Sequence, residues 1–575
     1  RIVIFLFLLL LSLLLFSPLL FLGLFPHTHE GVRYLGLAEM FKEALANGII
    51  YPRWLPDYYG GYGYPVFVFY QPGIFYLISF VSVFTGDILL AAQISLVLLF
   101  FAGAAGVFKL VEEIGLDEIS ALFAAVMFLI TPYLFVNLYV RGDLSELASI
   151  MILPWPLFFL LRLRRACAEG SGIETPAVLL SLSSTALLYT HPFTSKFFFP
   201  VLSLFAGFVC LELRNCRAAV LRFSAAAAAS LALALALSSP YWLTAFQMKE
   251  LVNYRNALGT HYLPEENVVY FPQFFSRFWG FGGSEPGIAD DGMSFQLGLP
   301  HFLLAAAGFA CARRNRLIFV SFLIYLVIIL LMSPLAVPLW KHAGIFRYVQ
   351  FPWRLLAVVA LLQAICIAGC GVALTRIHPQ VGIALLAVVS TLAVLFCYFD
   401  MFKFNAVPGD VRKLLATHRQ FRIERLDVYE SANEFLPVTV KTIPAAPRGA
   451  LPIIEASAED GKSCTAEEYA DSSQFHMKFS ISAQRTVKIT VNQLYFPGWR
   501  VELDGARISD GKLRDDILPD GRMRVGIPSG EKHVLEAYYE GPPGWRTRNF
   551  IIALLFIAYA QFLKSPFMRN SQKNE

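Results

Sequence analysis

Charge is what this chain is short of. Asp, Glu, Lys and Arg make up 15% of its residues, where soluble domains run nearer a quarter. An ordinary soluble enzyme is excluded, and the net charge of +5 says nothing about nucleic acid, which is not an expected partner. Cysteine is equally sparing. None of the eight forms a CxxC pair or stands at zinc spacing, and only Cys464 lies in a polar stretch, so no disulfide framework is readable. A small-x-small cleavage site is missing as well. The first apolar run, Ile2 to Phe25, is longer than a signal-peptide core and reads as a retained anchor.

What is abundant is apolar surface. Hydrophobic residues reach 57%, with 52 Phe and 24 Tyr. Apolar runs fall at about 2–24, 66–84, 88–109, 119–139, 147–161, 176–190, 195–213, 222–244, 297–312, 317–339, 354–375, 380–400 and 548–563. Runs of this kind span a hydrocarbon core as helices, which makes the chain a polytopic membrane protein. Simple alternation of all thirteen puts Arg162, Arg164 and Arg165 outside, along with Arg214, Arg217, Arg222 and the cluster at Arg313–Arg316. Cytoplasmic loops should carry those charges. Demoting 66–84, which Gln71-Pro72-Gly73 interrupts, to a re-entrant or interfacial hairpin repairs every later loop. The expectation is about twelve spans in the cytoplasmic (plasma) membrane, with the N-terminus cytoplasmic.

That topology puts residues 25–87, the loop "YVRGDLSE", residues 245–296 and the block 404–547 on the outer face. Tyr34, Leu37, Ala38, Phe41 and Leu45 form one stripe of an amphipathic helix, expected to lie on the membrane surface. In 404–547 the pattern changes to strand alternation broken by Gly, Asp and Pro, as in "YFPGWRVELDG" with a turn at Asp504-Gly505. The chain thus divides into a transmembrane domain at 1–403, an extracytoplasmic β-sandwich-like domain at 404–547, and a final helix and cytoplasmic tail at 548–575.

Polar residues crowd the span exits. One cluster is His27, His29 and Glu30; a second is Arg141, Asp143 and Glu146; a third joins His191 and Lys196 to Arg347, Trp353 and Arg354. Carboxylates can take a proton from an acceptor hydroxyl, and Arg and Lys can hold a phosphate leaving group. Taken singly, each has a plainer reading: a solvated boundary acid, a snorkelling arginine, a loop histidine. Asp290-Asp291 reads as a polar turn and Trp499 as core of the β-domain.

The arrangement resembles the GT-C superfamily of membrane glycosyltransferases. Glu30 stands where their first outer loop begins with a catalytic acid, and "ALFAAVMFLITPYLFVNLYVRGDLSE" is similar to their third span and second outer loop. More closely, "YPRWLPDYYGGYGYPVFVFYQP", "YVRGDLSELA", "FPWRLLAV" and "YFPGWRVELDG" resemble the YfhO-like bacterial membrane proteins labelled 6-pyruvoyl-tetrahydropterin synthase-related, over nearly the whole chain. The pterin half of that label finds no support, since such a synthase needs a compact soluble fold with a three-His zinc site. The group commonly carries Asp at position 30 and His at position 34, where this chain has Glu30 and Tyr34.

The resemblance implies an inverting enzyme that moves sugar from a polyprenyl-phosphate carrier to a cell-envelope glycan, lipid or protein acceptor. Glu30 would be the base or acceptor-orienting group, with Asp143 and Glu146 positioning the acceptor or a metal ion. Arg141, Lys196, Arg347 and Arg354 would hold the carrier phosphate. The sequence establishes no cofactor; some relatives hold a divalent ion between the acidic loops, and others use basic residues instead. A lipid-linked-glycan transporter and a glycan-binding assembly protein are the alternatives. The spans argue against the first, because "FSAAAAASLALALALSSPYW" and "LLAVVALLQAICIAGCGVAL" hold no charge to line a path.

Overall fold

The computed structural model describes residues 1–22, 25–26, 28–253, 263–288, 291–342, 349–374, 379–401, 408–409, 434–444, 454–456 and 463–569. His27, Asp290 and Arg347 lie outside them. Among the described residues, seven helices are long and apolar enough to cross a membrane: Ile88–Glu113, Glu118–Arg141, Leu144–Glu169, Pro192–Glu212, Arg217–Leu251, Pro352–Ala373 and Gln380–Tyr398. An eighth forms if Arg316–Met332 and Pro334–His342, bent by 77°, count as one.

Several of the expected apolar runs are not among these seven. The run at 297–312 folds as the 14-residue helix Leu299–Ala312, about 21 Å long at 1.5 Å per residue, against a core of about 30 Å. The run at 66–84 is broken, as Pro72 and Gly73 suggest, into Val66–Phe69 and Gly73–Thr85. The last helix, Trp545–Leu563, opens with Arg546 and Arg548 and is not among the seven.

Local chemistry sets the helix ends. Asp87 accepts from the amides of Leu89 and Leu90, Asp117 from those of Ile119 and Ser120, and Asn315 from those of Leu317 and Ile318. Each satisfies orphan donors of a first turn. Small residues set the closest helix crossing: a Cβ on Gly308 would come within 2.2 Å of the Cys366 carbonyl oxygen. Close backbone approach of this kind is how helices pack in lipid. No disulfide joins any of the eight cysteines among the described residues.

The surface-helix expectation needs correcting. The helix Gly31–Ala46 buries Tyr34, Leu37, Ala38 and Phe41 against protein. Tyr34 stacks on Phe75 at 5.6 Å, and Phe41 meets Phe67 and Tyr76, each at 4.8 Å. Aromatic packing within the chain outcompetes lipid for that stripe.

In the C-terminal region we number the strands β1 (Ile454–Ala456), β2 (Cys464–Glu468), β3 (His476–Ala483), β4 (Val487–Leu494), β5 (Trp499–Leu503), β6 (Ala506–Arg507), β7 (Arg522–Ile527) and β8 (Gly530–Tyr539). They form two antiparallel sheets, β2-β3-β8-β5-β6 and β1-β4-β7. The β5–β6 hairpin turns at Asp504 and Gly505, both at positive φ, as a two-residue loop requires. Trp499 is buried, as expected for core, and its ring meets Trp54 of the first loop at 5.5 Å. Leu494 donates its amide to Tyr62, and Gln493 accepts from the Trp54 indole at 2.9 Å. The sheets and the first loop are therefore one packed unit.

Candidate functional site

The first and second acidic exits meet through backbone. The amide of His29 donates to Val140 at 3.0 Å and that of Glu30 to Arg141 at 2.9 Å. This approach depends on Gly142. Its φ is +69°, and a Cβ there would stand 2.0 Å from Thr28 Oγ1 and 2.5 Å from the Gly31 nitrogen. No other residue fits. The preceding Asn137–Arg141 turn is a π-helix, a form frequent at functional sites, and Arg141 is its last residue.

Arg141 is the hub. Its Nη1 donates to Glu146 at 2.6 Å, to the Tyr133 hydroxyl at 3.2 Å and to Asn137; its Nη2 donates to Asp143 at 3.1 Å. Its guanidinium lies 4.7 Å from the Trp353 ring centre. Asp143 caps the helix Leu144–Ile152, accepting from the Glu146 amide at 2.9 Å. Glu146 is fully buried and also accepts from Tyr133 at 2.5 Å. A buried charge this well satisfied is held in one geometry.

Two tyrosines link the acids. Tyr34 donates to Asp143 at 2.8 Å, and Tyr70 donates to Tyr34 at 2.7 Å while standing 3.4 Å from Glu30 Oε2. Glu30 and Asp143 are pulled in opposite directions. Desolvation pushes the Glu30 carboxyl above its ordinary value, and the Asp143 charge adds to the rise. Burial alone would raise Asp143 too, but Arg141 and then His191, with the Glu146 amide, hold it down at about 2. A pair separated in this way suits one acid to proton transfer and the other to a fixed charge.

Asp143, Glu146 and His191 present ligand atoms within 4.8 Å of one another, a spacing suited to a metal ion. The surroundings do not fit one. The Arg141 guanidinium already rests on both carboxylates. His191 Nδ1 accepts from the Thr194 amide at 3.2 Å, so the ring proton sits on Nε2, 4.0 Å from Asp143, where a metal needs a lone pair.

Of the remaining candidates, Lys196 and Arg354 come together. Both lie 4.7 Å from the Phe193 ring centre, and neither forms an ion pair among the described residues. Arg354 donates to Gln350 at 3.3 Å. His29 turns away, its Nε2 2.6 Å from the Phe281 carbonyl oxygen. Asp291 accepts from Gln273 at 2.7 Å, as a structural turn would.

Sequence reasoning missed Tyr70, Tyr133 and Glu434. Glu434 arrives from the C-terminal region, where Phe435 stacks on Phe69 at 5.1 Å and donates its amide to the Tyr64 hydroxyl oxygen at 3.0 Å. Burial raises its carboxyl above the ordinary value, with Arg33, Glu30 and Arg354 the charges it feels. Nothing in "SANEFLP" signals this, although the Tyr133 spacing to Glu146 was visible in the second-loop motif.

The site is thus an acid-and-arginine centre at one end of a membrane bundle. The chain belongs to the family described as "6-pyruvoyl-tetrahydropterin synthase related domain; membrane protein", whose model matches residues 67–402. No curated protein matches it. Among solved structures it is similar to the arabinofuranosyltransferase AftD from Mycobacteria, at 17% identity and a TM-score of 0.41, over 71% of this chain and 28% of that one. It is also similar to the Archaeoglobus fulgidus oligosaccharyltransferase in its apo form, at 13% identity and 0.41, over 72% of this chain and 56% of that one. The complex of archaeal AglB with an inhibitory peptide and a dolichol-phosphate matches at 14% and 0.39, over 75% and 60%. This chain therefore spans under two thirds of each of these proteins. At such TM-scores the likeness carries no argument about its chemistry.

Proposed function

We propose that this protein is an inverting membrane glycosyltransferase, moving a sugar from a polyprenyl-phosphate carrier to a cell-envelope acceptor. The reading includes the finer topology: about twelve crossings of the plasma membrane, the N-terminus cytoplasmic, and the site and β-domain extracytoplasmic. One observation carries it. Glu30, with a raised carboxyl, stands beside a buried acid pair fixed by Arg141, while Lys196 and Arg354 share one aromatic ring without an acid.

Glu30 takes the proton from the acceptor hydroxyl as its oxygen attacks the anomeric carbon. The bond from that carbon to the phosphate oxygen breaks on the opposite face, and the electron pair leaves with the carrier phosphate. Lys196 and Arg354 receive that charge, and Arg347 remains a candidate third. Asp143 and Glu146, both paired with Arg141, orient the acceptor. Since the guanidinium holds both carboxylates, no step is routed through a metal.

The test is transfer of radiolabelled polyprenyl-phosphate hexoses to extracted envelope acceptors by purified protein in lipid. Label should move with the parent and fail to move with Glu30→Gln. Intact transfer in both Glu30→Gln and Asp143→Asn would sink the site assignment.

A further inference from the structure

A second arginine is buried with no ion pair among the described residues. Arg53 is 7% exposed, lies 3.9 Å from the Tyr51 ring centre, and among the described residues reaches only the Pro240 carbonyl oxygen, at 3.4 Å. Its Nε has no partner, nor does the Tyr51 hydroxyl. Glu540 lines the same cavity but is already held by Arg546 at 2.9 Å, with Arg500 and Arg507 at 3.8 and 3.9 Å. A ring face offsets only part of what a buried cation loses on leaving water. The cavity, closed on its other side by Trp54, Trp499 and Tyr539, measures about 50 Å³. That is room for roughly four waters, or one phosphate-sized group.

Tyr51 is also a wall of a second space. An apolar crevice of about 410 Å³ runs beneath it among Ile74, Leu77, Leu99, Ile152 and Ala186, between membrane helices. We propose that the two spaces form one site for an anionic amphiphile. Its phosphate pairs with Arg53, and its hydrocarbon chain lies in the crevice. Charge complementarity selects the head, and the shared Tyr51 wall supplies the continuity that a single amphiphile would need. Ala148 and Thr190, close in sequence to Glu146 and His191, also line the crevice, but the proposal rests on Arg53 and does not depend on the sugar-transfer reading.

Native mass spectrometry of the full chain in detergent tests this, with dioleoyl phosphatidate, undecaprenyl phosphate and dioleoyl phosphatidylcholine as probes. The parent should retain one phosphate-monoester lipid at least tenfold more tightly than phosphatidylcholine. Preference for phosphatidate makes the occupant a structural phospholipid, and preference for undecaprenyl phosphate makes it an isoprenoid carrier; either sustains the site. Arg53→Gln should erase the preference and Arg53→Lys keep most of it. Ala186→Phe, which fills the crevice and leaves Arg53 alone, should weaken both phosphate lipids several-fold. Equal retention of phosphatidylcholine, or unchanged binding in Arg53→Gln, overturns the proposal. Inorganic phosphate that protects the fold at the concentration of the lipids overturns the chain half of it.

Discussion

The span Leu144–Glu169 carries arginine–acid chemistry at both ends, and the two ends differ in kind. At its start, Arg141 and its two acids are at most 10% exposed in their side chains. At its finish, about 30 Å along the helix, Arg162 and Arg165 reach Glu113 at 3.6 and 2.9 Å while remaining 49% and 40% exposed. The second is an interfacial anchor whose cations stay in water. In the first, the tyrosines, Asn137 and a helix N-terminus satisfy what water no longer can. The same residue types give a mooring where solvent screens them and a preorganised site where it does not.

The sharpest break in that comparison is to remove one cation from each end. Arg141→Met should cost about 3–5 kcal/mol, because it leaves two buried carboxylates uncompensated. Arg165→Met should cost less, about 1 kcal/mol, because Arg165 is 40% exposed and Arg162 still faces the buried Glu113. Thermal unfolding in a single detergent measures both, and similar losses would erase the distinction drawn here.

Next in size is Glu30→Gln. Transfer should fall about 10²–10⁴-fold, the usual worth of a positioned base. Stability should not fall with it. A carboxyl whose value is raised by folding contributes stability below its unfolded value and loses it as pH rises through the folded one. Folding therefore works against the ionised form of Glu30, and glutamine, which carries no charge, removes that conflict. A melting temperature that drops along with activity would recast Glu30 as structural.

Gly142→Ala follows, at about 1–3 kcal/mol, since its Cβ meets Thr28 and its backbone is left-handed. Separation of the two loops should appear as faster amide exchange at Glu30. Unchanged exchange would mean that the loops meet by some other contact.

The smallest effects concern pH. With Glu30 raised, the rising limb of transfer against pH should lie above 4.5. Asp143 works the opposite way. Its contribution to stability is complete above 3.8 and is lost as pH falls toward about 2. Asp143→Asn should flatten acid unfolding in that window. Tyr34→Phe, which cuts the link between the acids, should shift the transfer limb by under one pH unit and cost about 1 kcal/mol. A limb that does not move would make Tyr34 a packing residue.

Much of this was legible from the sequence, but unevenly. The acid at the first exit and the "RGDLSE" cluster were visible because function at a membrane surface concentrates polar groups at helix ends. The stripe of Gly31–Ala46 was visible too, but its destination was not, because an apolar face does not say whether lipid or protein will cover it. The metal question turned on Arg141. The spacing of Asp143, Glu146 and His191 permits an ion, and only the structure shows the Arg141 guanidinium resting on both carboxylates.

By itself, the sequence determined the membrane character, the helices capped by Asp87, Asp117 and Asn315, and the β-rich C-terminal region, all of which follow from neighbours within a few residues. Only the tertiary structure decided that Glu30, Tyr70, Asp143 and Glu434 share one neighbourhood, and that Arg53 is shut in behind an aromatic wall beside a Glu540 already held by other arginines. Periodicity reports which face is apolar and hydropathy how deep a segment lies. Which buried charge meets which partner across hundreds of residues depends on packing, where a single glycine or one turn of helix settles it.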